Sequence, residues 1–143
     1  VDGGCIAVAS NDTAAGSVNV GVSGTGQVQA NPIVDVDVTR FSVAKRLDIS
    51  RDGTTAPKAA VVNAGTAAGT ATIQVEGTAP DANGVPQVVY TASQDVTLLP
   101  AATAKVLFPA FVPTAAEIVT WTVTVADQDP DVDVATATTK VVP

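Results

Sequence analysis

Strict alternation of apolar and polar side chains is the dominant pattern along this chain, and it places most of the expected strands directly. Over 118–125, Val119, Trp121, Val123 and Val125 share one face while Thr120, Thr122 and Thr124 share the other, as in a half-buried strand. An acidic turn over 127–133 follows, then a second alternating run over 134–142. Upstream, 33–38 puts Val34, Val36 and Val38 on one face and Asp35 and Asp37 on the other. Phe41 and Val43 continue it, and Leu47 and Ile49 form an edge segment before the Arg51-Asp52-Gly53 turn. The run 58–63 ends in Asn63-Ala64-Gly65, a turn signal. Over 70–77, Ala71, Ile73 and Val75 face in and Thr72, Gln74 and Glu76 face out. The stretch 79–86 reads as a loop in which Asn83-Gly84 suits a type I′ turn. Runs at 87–92, 94–99 and 104–108 supply three more short strands.

About eight strands at a spacing of roughly 8 to 12 residues predict an all-β fold, a two-sheet β-sandwich. Neither a helical pattern of useful length nor an internal repeat is present. Trp121, the only tryptophan, lies on the apolar face of its strand and is expected at the middle of the core. Composition agrees: 46% of residues are apolar but only 3% aromatic, and small and β-branched side chains suit pleated sheets. A length of 143 residues accommodates one domain, assigned to 32–143 and opened by Asn31-Pro32, plus an extension over 1–31.

The extension holds only two charged residues, Asp2 and Asp12, and two alternating runs, 5–9 and 17–22. Three readings stand open for it: a flexible leader, extra strands of its own sheet, or a strand that pairs with another subunit through Val18, Val20 and Val22. Asn11-Asp12-Thr13 matches the acceptor pattern for N-glycosylation at Asn11. Cys5 is the only cysteine, so no intrachain disulfide forms. A buried thiol, an intermolecular bridge or lipid attachment, and a residue left from a neighbouring segment remain its alternatives. The chain begins at Val1, as expected of a mature exported protein or a piece of a larger one.

Net charge of −7 argues against a nucleic-acid partner, which needs clustered Lys and Arg at its contact face. No apolar run approaches the ~20 residues of a membrane helix. There is no histidine, which removes the commonest general base, His-ligated zinc and haem attachment through Cys-x-x-Cys-His. A lone cysteine excludes thiolate metal sites. The expectation is a protein that is not an enzyme. The glycine-rich run 21–26 lacks the Gly-Lys-Ser/Thr ending of a phosphate loop and reads as a turn.

Asp127, Asp129, Asp131 and Asp133 are the candidate metal ligands, joined by Asp35 and Asp37 if the first strand lies beside the last. Calcium takes six to eight oxygens, and alternating carboxylates in a turn supply several. Pro130 interrupts the likeness to an EF-hand loop, and a solvated acidic turn is the competing reading. Charge is also uneven: Arg40, Lys45, Arg46, Arg51 and Lys58 are five of the seven basic residues, so copies would attract head to tail if the two regions lie at opposite ends.

Val61-Val62-Asn63-Ala64-Gly65, the Thr-rich 70–75 run, Leu98-Leu99-Pro100 and the Asp-rich final hairpin together resemble the bacterial and archaeal immunoglobulin-like modules of the CARDB type. Phe108-Pro109, the Trp-Thr-Val-Thr-Val strand and Asp129-Pro130-Asp131-Val132-Asp133 also resemble immunoglobulin-like domains appended to secreted multihaem cytochromes. The resemblance implies an immunoglobulin-like β-sandwich at the cell surface, acting as a spacer, adhesion or assembly module without an active site. Its partners would be other copies, through strand addition into a filament, or neighbouring domains. The alternative is a ligand- or glycan-binding or spacer domain of a larger secreted protein, such as a multihaem cytochrome, with Tyr90 and Phe111 as its exposed rings.

Overall fold

Branched side chains sit most easily on pleated strands, and Val and Thr fill the runs between turn residues. In the computed structural model, which describes residues 31–143, these runs form β1 (Val36–Ser42), β2 (Arg46–Asp48), β3 (Lys58–Asn63), β4 (Gly69–Pro80), β5 (Pro86–Leu98), β6 (Thr103–Leu107), β7 (Ile118–Ala126) and β8 (Val134–Val142). A single 3-10 turn, Ile49–Arg51, is the only helical element among them. One sheet has the order β1-β3-β6 and the other β2-β8-β7-β4-β5. Every neighbouring pair is antiparallel except β2 and β8, which run parallel. This is the immunoglobulin-like two-sheet sandwich.

The core lies where the alternation placed it. Val119, Trp121 and Val123 of β7 and Ile73 and Val75 of β4 are fully buried, facing Val36, Val61 and Val106 of the other sheet. Around Trp121 stand Tyr90 and Phe111, edge to face, with ring centroids 5.2 and 5.3 Å away. The ring packs over Gly77, where a Cβ would lie 3.0 Å from an indole carbon, so a side chain there would press on the indole. Burying an indole N–H requires a partner. Trp121 Nε1 donates to Thr139 Oγ1 at 2.9 Å, and that hydroxyl donates to the Ala44 carbonyl at 2.6 Å, tying β8 to the segment between β1 and β2.

Four local expectations are corrected. Residues 33–35 are outside the ladder, and β1 instead starts at Val36 and runs to Ser42. A register shift between Val38 and Arg40 leaves Val38 only half-buried. The two strands expected at 87–92 and 94–99 are one continuous β5. No glycine or proline interrupts 87–98, and the apolar positions Val88, Tyr90, Ala92, Val96 and Leu98 stay in phase through the supposed break. A bulge accommodates the change in register: Tyr90 pairs with Gly77 and Val88 with Thr78, leaving Val89 over. The loop before β5 is shorter than expected and is not type I′, since Gly84 has φ of 81° but Asn83 is absent from the positive-φ residues. The Asp81 carboxylate shapes it instead, accepting the N–H groups of Asn83 and Val85 at 2.8 and 2.9 Å. Finally, Phe111, expected as one of two exposed rings with Tyr90, is buried; its strand-like bridge to Thr55 draws it into the aromatic cluster.

Candidate metal centre

Hairpin β7–β8 closes through residues 127–133, and the Val125 N–H donates to the Asp133 carbonyl at 3.2 Å. Aspartates at every second position organise that turn. Asp127 Oδ1 accepts the Asp129 N–H at 3.0 Å, and Asp129 Oδ2 accepts the Asp131 N–H at 3.2 Å, the local competition with backbone pairing at which Asp excels. The turn is also fastened to the start of β1. Asp127 Oδ2 accepts the Val36 N–H at 2.5 Å, and Gln128 Oε1 accepts the Val34 N–H at 3.1 Å. From the other side, Asn63 Oδ1 accepts the Asp35 N–H at 3.3 Å, and the Ala64 N–H donates to the Asp35 carbonyl at 2.6 Å.

Held this way, Asp35 and Asp37 project beside Asp133, and one carboxylate oxygen from each lies within 4.8 Å of the other two. Calcium–oxygen distances of about 2.3–2.6 Å put two ligands of one ion up to about 5 Å apart, so the trio fits a single cation. All three side chains are half-buried. Burial, then the charge of Asp37 and a hydrogen bond between the two carboxyls, push Asp133 up to about 6. Burial and the neighbouring charges, Asp37 foremost, also raise Asp35. A carboxylate must be deprotonated to hold a metal ion, so a cation at this trio would compete with the proton that Asp133 retains.

The expected ligand set is thus divided by the fold. Asp133 meets Asp35 and Asp37; Asp127 spends both its oxygens on backbone N–H groups; Asp129 serves the turn, and Asp131 is exposed. Sequence reading missed the role of Asn63, taking it as part of a turn signal. It is fully buried, and besides Asp35 it binds the Gly65 N–H and the carbonyls of Ala67 and Leu98. Its place as the last residue of an alternating strand, on the same face as Val61, was the available signal.

Comparison with solved structures supports the fold. The CARDB domain of a Pyrococcus furiosus protein, determined in complex with di-metal ions, superposes with a TM-score of 0.58 at 17% identity, covering 79% of this chain and 97% of that one. A β-glucosidase from Listeria innocua, determined with gluconolactone and with glucose, matches with a TM-score of 0.53 at 18% identity over 82% of this chain. The match spans only 17% of the glucosidase. No protein-family model matches the sequence, and no curated protein matches it. These neighbours agree with the CARDB-like immunoglobulin fold; the likeness to domains of multihaem cytochromes is not supported by them.

Other candidate positions fall as follows. Val18, Val20, Val22, Asn11 and Cys5 lie outside the described residues. Among the five aromatic residues, Trp121, Phe108 and Phe111 are buried and Tyr90 and Phe41 half-buried, so the chain presents no exposed aromatic platform of the kind that stacks on sugars. No helix among the described residues is long and apolar enough to cross a membrane.

Proposed function

We propose that this chain is a non-enzymatic structural or spacer module of the cell exterior, whose corner of Asp35, Asp37 and Asp133 takes a divalent cation, calcium by its all-oxygen donor set. The convergence of those three carboxylates carries the reading. That a CARDB domain of similar fold was determined with di-metal ions supports metal binding by such a sandwich, and the small share of the glucosidase that is matched supports a unit carried within longer chains. A bound cation would pin the start of β1 to the β7–β8 turn at a point where carboxylates now repel, and so would stiffen one end of the module.

The sign of the pH effect follows from Asp133. Its carboxyl sits at about 6 in the folded protein against an ordinary value of 3.8, so the metal-free fold holds the proton more tightly than the unfolded chain. That contribution is fully present below about pH 4 and is lost as pH rises through 6. Calcium reverses the trend, because it binds the deprotonated trio. Millimolar calcium is therefore expected to raise the melting temperature by several degrees at pH 7.5 and by nothing at pH 5, EDTA reversing the gain. Asp133→Asn is expected to melt higher than the parent without calcium at pH 7.5 and to lose the calcium response. A melting curve and titration calorimetry blind to calcium at pH 7.5 would overturn the metal reading.

Among the described residues the 13-residue β5 ends its sheet. A sheet edge of that length is a template for strand addition, and we propose the run carrying Val18, Val20 and Val22 of another copy as the donor. Any assembly that persists at about 500 mM salt, where contacts between charged faces are screened, should vanish when residues 1–31 are deleted; persistence after the deletion would remove the donor role.

A further inference from the structure

The two charged regions of the sequence do lie at opposite ends of the sandwich. Asp35 and Asp37 open β1 beside the β7–β8 turn with Asp127, Asp129, Asp131 and Asp133, and Asp95 reaches the same end through its register with Thr72 and Ala126. No Lys or Arg lies there among the described residues. All seven basic residues of the chain lie further along: Lys140 is far down β8 from the turn and pairs with Arg46, while Lys45 precedes β2 and Arg51 ends the 3-10 turn after it.

Three of the seven share one surface. The outer face of the β1-β3-β6 sheet carries the cross-strand row Arg40, Ala60, Lys105, followed by Ser42, Lys58, Leu107. Arg40, Lys58 and Lys105 are exposed, and Leu107 is 57% exposed. Because Ala60 is short and its two row neighbours are long, the face is dished into an open groove of about 330 Å³ with an apolar floor and a cationic rim. Among the described residues the sole ion pair is Arg51 to Asp48 at 3.8 Å, so none of the rim cations is neutralised there.

We infer that this groove receives the β7–β8 turn of a second copy. That turn has the complementary chemistry. The side chain of Asp131 is exposed and outside the carboxylate trio, and Val132 beside it is 71% exposed. Asp129 and Asp131 meet the rim of Arg40, Lys58 and Lys105, while Val132 covers Leu107 and Ala60. Donor turn and acceptor groove are different surfaces at different places on the molecule, so the contact is heterologous and leaves a free turn and a free groove at each step. Repetition gives a chain of copies rather than a closed dimer.

The contact is weak and salt-sensitive. Exposed ion pairs contribute only about 0.2–1 kcal/mol each, and at 0.1 M salt the Debye length of about 10 Å screens the net charge of −7 while leaving charges in contact less affected.

The test is sedimentation velocity on the full-length chain with EDTA present, so that the carboxylate trio plays no part. At 50–100 mM salt the weight-average mass of the parent is expected to rise with protein concentration, and 500 mM salt is expected to return it to monomer. Lys105→Glu destroys the groove and Asp131→Lys the turn; both positions are exposed, so both variants keep the fold. Each alone should stay monomeric. Mixed one to one, they retain one intact turn and one intact groove and should form dimers that grow no further. Association that survives both reversals or persists at 500 mM salt, or a parent that stays monomeric at low salt up to about 1 mM, would overturn the inference; the first two outcomes would point to strand addition instead.

Discussion

Trp121→Ala is expected to lower the unfolding free energy by about 4 kcal/mol, the largest effect of any single substitution in the core. Removing a fully buried large aromatic costs about 3–5 kcal/mol from lost transfer energy and the cavity left behind. Three features keep this site from collapsing around the gap. Tyr90 and Phe111 lose their edge-to-face partner. Gly77 has no side chain with which to fill the space. Thr139 Oγ1 loses the indole N–H, although it keeps its bond to the Ala44 carbonyl. Trp121→Phe restores much of the volume and is expected to cost about half as much. Denaturant unfolding followed by circular dichroism reads both, and a loss under 1 kcal/mol for the alanine variant would contradict the packing described around β7.

Asn63→Ala is expected to cost about 3 kcal/mol, although it removes few atoms. Its side chain satisfies two N–H groups, of Asp35 and Gly65, and two carbonyls, of Ala67 and Leu98. Leaving a buried polar group without its partner costs about 1–3 kcal/mol, and water entering the corner would satisfy some of the four. Asn63→Asp keeps the shape and the acceptor for the two N–H groups but turns an oxygen toward both carbonyls, and it adds a charge near Asp35. It is expected to be at least as damaging at pH 7.5. Because Asn63 sets the backbone position of Asp35, the alanine variant should also weaken calcium binding several-fold at temperatures where it is folded. An unchanged calcium affinity would separate the corner from the Asn63 network.

Much of the fold was legible because one face of most strands is buried and the other wet. Ala71, Ile73 and Val75 in β4, and Val119, Trp121 and Val123 in β7, are buried as their alternation required. Legibility failed where tertiary context sets the outcome. Nothing local marks where β1 enters its ladder, since Ile33, Val34 and Asp35 continue the same alternation yet bond to Asn63, the loop after β3 and the distant Gln128. The Asp81 side chain, rather than Asn83-Gly84 backbone preference, dictates the β4–β5 turn. For the acidic corner, the sequence identified the carboxylates but could not divide them between backbone caps and a convergent trio. That division depends on a long-range placement of β1 against the β7–β8 turn.

The parallel pairing of β2 with β8 has a mechanical consequence. Arg46, Leu47 and Asp48 run beside Lys140, Val141 and Val142 in the same direction, near the beginning and the end of the sandwich. Tension between β8 and the segment ahead of β2, once it has passed β1, loads this ladder along the strands, so its hydrogen bonds must yield together in shear instead of opening one after another as in a zipper. A unit strung between other domains would therefore resist extension at the place where its two ends are laced to each other.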